Sequence, residues 1–187
     1  SVDRSRRLAG ELPVLASALA GSVRTETEIF SPDSLHQLDP VLAEQAVTPV
    51  LPTPGAWPDE RTEERRGLLI HTAAPVRDLS GRIVGVLTGG VLLNKNLSFI
   101  DRLNEIVYPP GALPLGSAGT ATLFLGDVRV ATNVRLFAGE RAIGTRVSTA
   151  VHSAVLEQGR TWLDRAFVVN DWYVSAYEPL HDSAGER

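Results

Sequence analysis

Pro75-Val76-Arg77-Asp78-Leu79-Ser80-Gly81 and Pro179-Leu180-His181-Asp182-Ser183-Ala184-Gly185 lie 104 positions apart and share a proline, an aspartate and a glycine, each copy following a strand-like run. Asp accepts bonds from its own backbone and Gly supplies positive φ, so each copy reads as a turn. After Gly81 the apolar run Ile83 to Leu93 pairs back across the turn as a hairpin, whereas after Gly185 only Glu186 and Arg187 follow. A repeat of this length predicts two similar supersecondary units in tandem. The first covers 1–112 and is incomplete at its N-terminus; the second covers 113–187 and lacks its last strand. The competing reading is coincidence, because Pro, Asp and Gly mark turns of every kind.

The 187 residues are 43% hydrophobic and 21% charged, an ordinary globular balance that supports one large domain or two small ones. No apolar run reaches 18 residues, so no segment of the sequence spans a membrane, and no signal-peptide pattern opens it. With no Met at all, the sequence reads as a piece of a longer protein, with any anchor outside it. The absence of Cys excludes disulfides, thiolate nucleophiles and Cys-ligated zinc, and fits a cytosolic or a bacterial extracytoplasmic location equally. A net charge of -4 argues against a nucleic-acid surface, which needs a basic stripe.

Along the chain, Leu8, Leu12, Val14, Leu15 and Leu19 predict helix over 3–20, interrupted at Pro13. An extended stretch Val23 to Phe30 precedes Ser31-Pro32, an N-cap with proline at the first helical position, which opens a helix through Ala46. The four prolines and mixed charges of 47–66 read as a surface excursion. Gly67 to Val76 and Ile83 to Leu93 form a hairpin, Leu97 to Tyr108 an amphipathic helix, and the low-charge stretch through Gly119 a linker. Then follow a hairpin Thr120–Leu125/Val128–Asn133 around Gly126-Asp127, and a helix capped by Ser148 and ended by Gly159. A last hairpin, Arg165–Val169/Trp172–Pro179, turns at Asn170-Asp171. The order strand pair, loop, helix, strand pair is that of an antiparallel sheet with helices to one side, an α+β fold.

Enzyme signatures are missing from the sequence. His36, His71, His152 and His181 lie far apart with no second ligand type at metal spacing, and there is no nucleophile elbow, P-loop or dinucleotide fingerprint. No catalytic residue, metal or cofactor is expected. Alternation on the last strand puts Tyr173, Ser175 and Tyr177 on one face and Trp172, Val174 and Ala176 on the other. Aromatic bodies with hydroxyl tips suit a small-ligand pocket. On Val128–Asn133 the same rule groups Arg129 with Asn133 and opposes Thr132, and Arg141 and Arg146 follow in one loop. Three arginines near a tyrosine-lined face fit bidentate capture of a carboxylate. The alternative is that they solvate an edge or pair with Glu140, Glu157 and Asp164. The corresponding face of the first unit, around Leu69, His71 and Ala73, reads as packing.

Thr120-Ala-Thr-Leu-Phe, Asp127-Val-Arg129-Val-Ala-Thr132-Asn133-Val, Arg141-Ala-Ile-Gly-Thr-Arg146-Val-Ser148 and Arg165-Ala-Phe-Val-Val-Asn-Asp-Trp-Tyr-Val-Ser-Ala-Tyr-Glu-Pro179 resemble the membrane-proximal part of bacterial extracytoplasmic Cache sensor domains. Gly67-Leu-Leu-Ile to Asp78, with Gly85 to Asn94, is similar to the preceding segment of the fused double-Cache type found in sensor histidine kinases and chemoreceptors. The resemblance covers about residues 8–187 and implies a PAS-like Cache fold, antiparallel sheets flanked by helices, in two related tandem units. It departs from the family at both ends, where a long signalling helix, a first strand and a last strand are missing from the sequence.

The function implied is small-molecule sensing, without chemistry, in the periplasmic part of an inner-membrane signalling protein of the two-component type, most simply a histidine kinase. A homodimer is implied for the whole receptor, membrane contact only through segments outside this sequence, and no nucleic acid. The candidate ligand contacts are Arg129, Thr132, Asn133, Arg141, Arg146, Tyr173, Ser175 and Tyr177. Related citrate and dicarboxylate sensors carry a His where Thr132 stands and basic groups where Ser175 and Tyr177 stand, so a carboxylate fits the pattern and citrate does not. The alternative function is a ligand-free dimerisation or protein-interaction module of a membrane receptor.

Overall fold

Prolines punctuate the N-terminal half. The computed structural model describes residues 12–136, 139–169, 171–185 and 187, so residues 3–11 of the expected first helix, and Asn170 of the last turn, lie outside the described residues. Helix α1, Pro13–Leu19, begins at the expected interruption, because proline is tolerated at a first helical position where no N–H is required. The helix expected from Pro32 to Ala46 is instead two, α2 (Pro32–Leu38) and α3 (Pro40–Ala46). Asp39 sits between them in extended conformation, φ -159° and ψ 119°, since the residue before a proline is driven out of the helical region.

The described chain divides into two compact units. The first comprises the described residues up to Ala43, then Arg66–Leu92 and Leu180–Arg187; the second comprises Glu44–Arg65 and Leu93–Pro179. Neither unit is continuous in sequence, and the expected boundary at 112/113 falls inside the second.

In the first unit β1 (Arg24–Phe30), β4 (Gly67–Arg77) and β5 (Ile83–Leu92) form an antiparallel sheet in the order β1-β4-β5, with Arg24 opposite Ala73 and Leu69 opposite Leu92. Helix α1 packs on β4 and buries Val14, Leu15 and Ala18; Leu69 and Ala73 are buried on β4, as the packing reading requires. The repeated turn motif folds twice in the same way. Gly81 N–H donates to Asp78 O at 2.9 Å and Ser80 N–H to Asp78 Oδ1 at 2.9 Å; Gly185 N–H donates to Asp182 O at 3.0 Å and Ala184 N–H to Asp182 Oδ1 at 3.0 Å. Both glycines take positive φ, 84° and 86°.

A buried charge holds this unit together. The Glu28 carboxylate, on β1, accepts from Val14 N–H of α1 at 3.4 Å and from Ser183 Oγ–H of the C-terminal segment at 2.9 Å, and meets His71 Nδ1 of β4. His71 Nε2 lies 2.5 Å from Thr88 Oγ1, and Ser183 N–H donates to Thr27 O at 3.1 Å. Glu28 and His71 are both almost fully buried.

The second unit carries two hairpins rather than a single sheet: β6 (Thr122–Leu125) with β7 (Val128–Thr132), and β8 (Trp162–Val168) with β9 (Asp171–Tyr177). Helix α4, Leu97–Val107, is capped by Asn96, whose Oδ1 accepts from Phe99 N–H at 3.1 Å, and it packs on β7. Helix α5 starts at the Ser148 cap as Thr149–Val151 and continues as a π-helix over His152–Glu157, a widening the sequence did not announce. The stretch 47–66 is largely exposed, as the surface reading requires, but it is ordered: β2 (Thr48–Pro49) pairs with β3 (Glu63–Glu64), and residues between them are bonded into the unit. All five residues of β7 are buried, the pattern of a strand covered on both faces.

Burial alone would raise the Glu28 pKa, but the hydrogen bonds from His71, Ser183 and Val14, with the His71 charge, outweigh it and hold the pKa below the usual value of 4.5. A carboxyl whose pKa is lower folded than unfolded adds stability above the unfolded value, and that addition drains away as pH falls through the folded one. Urea unfolding should therefore show the protein losing stability between about pH 5 and about pH 3, and Glu28→Gln losing clearly less over the same interval. Equal losses would place the acid-sensitive group elsewhere.

Candidate functional site

Three passes of backbone lie side by side at the start of β7. Arg129 N–H donates to Thr145 O at 2.9 Å and Gly144 N–H to Arg129 O at 2.8 Å, so the loop after Ala142 runs antiparallel to the strand. On the loop's other side Leu51 N–H donates to Gly144 O at 2.9 Å, Arg146 N–H to Thr53 Oγ1 at 3.0 Å and Thr149 N–H to Gly55 O at 2.8 Å. Only glycine fits at 144: its φ is 86°, and a Cβ would stand 2.1 Å from Pro49 O. Further along, the Trp57 and His152 rings stack with centroids 5.1 Å apart.

These passes and the β8–β9 hairpin enclose a cavity of about 20 Å³. Arg129, Arg146, Tyr177, Thr53 and Ser148 give its polar lining, and Pro54, Val147, Ala166, Val168 and Val169 its apolar lining. Val169 sits at φ 62°, a conformation a β-branched residue rarely takes, at the end of β8.

The decisive group is the Arg129 guanidinium. The residue is 3% exposed, and no hydrogen-bond partner meets its Nε or Nη1 among the described residues. The guanidinium lies over the Phe124 ring, 5.1 Å from the centroid, a cation–π geometry that offsets part of the lost hydration. Burial pulls its pKa down to about 10, with Tyr177 and Tyr173 working against the fall, so it stays charged at neutral pH. Burial pushes the Tyr177 pKa up, against the opposing pull of Arg129 and of a hydrogen bond with Ser175. An unpaired buried charge costs several kcal/mol (~3–5 when a partner is removed), so this arrangement asks for an anion.

Arg146 is different. Its Nε donates to Asp127 Oδ2 at 2.6 Å and its Nη2 to Asp59 Oδ2 at 3.3 Å, while Arg61 Nη2 donates to Asp127 Oδ1 at 2.7 Å and Nη1 to Glu64 Oε2 at 3.4 Å. Two guanidiniums thus face three carboxylates, and Asp127 between them is 3% exposed.

Of the eight candidate contacts, the structure brings three to the cavity: Arg129, Arg146 and Tyr177. Tyr173, Ser175 and Tyr177 do share the half-buried face of β9 while Trp172, Val174 and Ala176 are exposed; Tyr173 packs on the cluster of Val134, Ala142, Ala166 and Val168. Thr132 and Asn133 lie at the far end of β7 and bind the chain to itself. Thr132 Oγ1 bonds Thr122 Oγ1 at 2.7 Å, and Asn133 Oδ1 accepts from Ala121 N–H at 2.8 Å. Arg141 is spent on a fork-to-fork bond with Asp101 of α4, 2.6 and 2.8 Å, and on Thr132 O at 2.9 Å. That bond holds the Asp101 carboxyl below its usual range. Thr53, Pro54, Asp59, Arg61 and Asp127 escaped the sequence reading, because each matters through partners dozens of residues away; the one local hint was the mixed-sign run at 59–66.

A protein-family model described as single Cache domain 3 matches residues 91–187. No curated protein and no solved structure matches the chain. The match takes in α4, both hairpins and α5, and so all of the cavity lining except Thr53 and Pro54.

Replacing the Arg129 cation by an apolar side chain of similar length removes its desolvation cost and leaves the packing. Arg129→Met should raise stability to urea by about 1–3 kcal/mol in anion-free buffer. A loss of that size would mean that the guanidinium is paid for inside the fold and needs no ligand.

Proposed function

The chain belongs to the single Cache domain 3 family, and on that ground we propose that it is the extracytoplasmic, small-molecule-sensing part of a bacterial transmembrane signalling protein. Cache domains are extracytoplasmic sensor modules built from helices and antiparallel sheets, and the α+β architecture here agrees. No helix among the described residues is long and apolar enough to cross a membrane. In the finer reading the two units are a tandem double-Cache arrangement, the output is a histidine kinase of a two-component system, and the receptor is a homodimer in the inner membrane.

The observation that carries the ligand reading is the buried, charged Arg129 beside a cavity, its Nε and Nη1 without a partner among the described residues. The ligand is a small anion, a carboxylate in the first instance, held by Arg129 with Tyr177 and Arg146 around it. Tyr173 and Ser175 support Tyr177, while Thr132, Asn133 and Arg141 hold the frame. The site binds and does not transform. Signalling needs only that the anion prefers one arrangement of these strands to another, since a ligand shifts an equilibrium by its difference in affinity for the two states.

Thermal unfolding against a panel of carboxylates, amino acids and amines tests this. A ligand at 100 times its Kd adds about 2.7 kcal/mol, a rise of roughly 5–10 °C for a domain of this size. The rise should vanish in Arg129→Gln and persist in Arg141→Lys; loss in both, or no rise with any carboxylate, would sink the reading.

One observation favours an interaction module as a second reading. Leu163, Trp172 and Val174, on the outward face of β8–β9, are 74%, 67% and 83% exposed. On this reading that face pairs with a second copy of the chain, sedimentation equilibrium detects a dimer, and Trp172→Asp abolishes it. A monomer at high concentration would dismiss the module.

A further inference from the structure

Strand β5 reads Ile83-Val-Gly-Val-Leu-Thr-Gly-Gly-Val-Leu92, ten residues without a charge or a proline. β4 lies on one side of it, and among the described residues no strand or bridge lies on the other. The far edge of the same sheet is met by the C-terminal segment, through Ser183 N–H on Thr27 O at 3.1 Å. Natural edge strands repel new neighbours with charges, prolines or bulges. β5 has neither of the first two, and the irregularity between Val76 and Arg77 lies at its turn end. Its large side chains are uncovered as well: Leu87 is 70% exposed and Val91 49%.

The glycines of β5 are a second observation. Gly90 is required by the fold, since a Cβ there would stand 3.1 Å from Ile70 O. Gly85 borders the irregularity, opposite Val76. Gly89 has no such reason: it sits in regular pairing opposite Thr72, its φ is not positive, and a Cβ would meet nothing within 4 Å. A glycine inside a strand weakens it, and often marks a place where another backbone comes close.

The register with β4 sets Gly85, Leu87, Gly89 and Val91 on the face away from the core, and Val86, Thr88 and Gly90 on the face of His71 and Ala73. An antiparallel copy of β5 keeps these faces matched only when the two-fold axis passes through a residue. Two such registers overlap nearly the whole strand, one centred on Leu87 and one on Thr88. The first sets Gly85 against Gly89. The second sets Gly85 against Val91, Leu87 against Gly89 and Val86 against Gly90, so that every glycine is covered by a larger apolar side chain of the other copy.

We propose that the β5 edge is a docking surface for a second copy of this chain, the two strands pairing antiparallel about Thr88 into one six-stranded sheet. This goes beyond the ligand reading and does not rest on it.

Sedimentation equilibrium of the whole chain over a range of concentrations is the first measurement, and a dimer is expected. Leu87→Lys, at an exposed position, brings two ammonium groups near the axis and should weaken association at least about tenfold. Association that survives Leu87→Lys unchanged, or that is lost only in Trp172→Asp, puts the interface elsewhere and overturns the proposal, as does a monomer at every concentration. Register has its own test, because the chain contains no Cys. Across the axis the two Thr88 Cα atoms would stand about 4.5 or about 5.5 Å apart, within the span of a disulfide. Thr88→Cys should therefore give a covalent dimer on mild oxidation, and Val91→Cys, whose two copies lie at opposite ends of the pairing, should not. Cross-linking through Val91→Cys in preference to Thr88→Cys overturns the register.

Discussion

A guanidinium held away from water with no carboxylate against it constrains everything built around it. The charge sits on β7, every residue of which is buried, so the side chain cannot reach solvent by a change of rotamer alone. The fold meets part of the cost with the Phe124 ring and leaves the rest. Neighbouring cations are handled so as not to add to it: Arg146 and Arg61 are tied to Asp59, Asp127 and Glu64, and Arg141 to Asp101. A second unpaired arginine nearby would have repelled the first. One cation left open among several closed ones is a specific electrostatic arrangement and not a basic patch.

The first unit treats its buried charge in the opposite manner. Glu28 has donors from three separate stretches of chain, and His71 faces both Glu28 and Thr88. Such a network ties α1, three strands and the C-terminal segment to a common point. The two units thus treat buried polar groups differently, one network closed on itself and the other leaving Arg129 Nε and Nη1 without a partner among the described residues.

Period-two alternation on β9 was enough to place Tyr173, Ser175 and Tyr177 inward, because a strand's faces are fixed by its backbone. Turns marked by Asp and Gly were legible for the same local reason. Arg129 could be singled out as a candidate, but not as the one unpaired arginine of three, since pairing depends on Asp101, Asp127 and Asp59, which no pattern within a strand or loop connects to it. The helix break at Asp39-Pro40 was in the sequence and was overridden by a longer apolar periodicity. The 47–66 stretch misled most. Its prolines and charges are those of a solvated loop, and most of its residues are indeed exposed; what they do not announce is the pairing of β2 with β3 and the close fit of Gly144 to Pro49. The same distance from the rest of the motif leaves Thr53 and Pro54 outside the part of the chain that the family shares.

The bond between Arg146 N–H and Thr53 Oγ1 joins residues 93 positions apart. Closing so long a loop costs entropy before the contact returns anything, and contacts of high sequence separation form late in folding. The hairpins β6–β7 and β8–β9 close over short turns and can assemble first; the wall they share with the early part of the chain must wait for it. The cavity is then among the last features of the second unit to appear and among the first to open under stress. An anion that grips Arg129 would act as a clasp on that final closure and would slow unfolding more than it speeds folding.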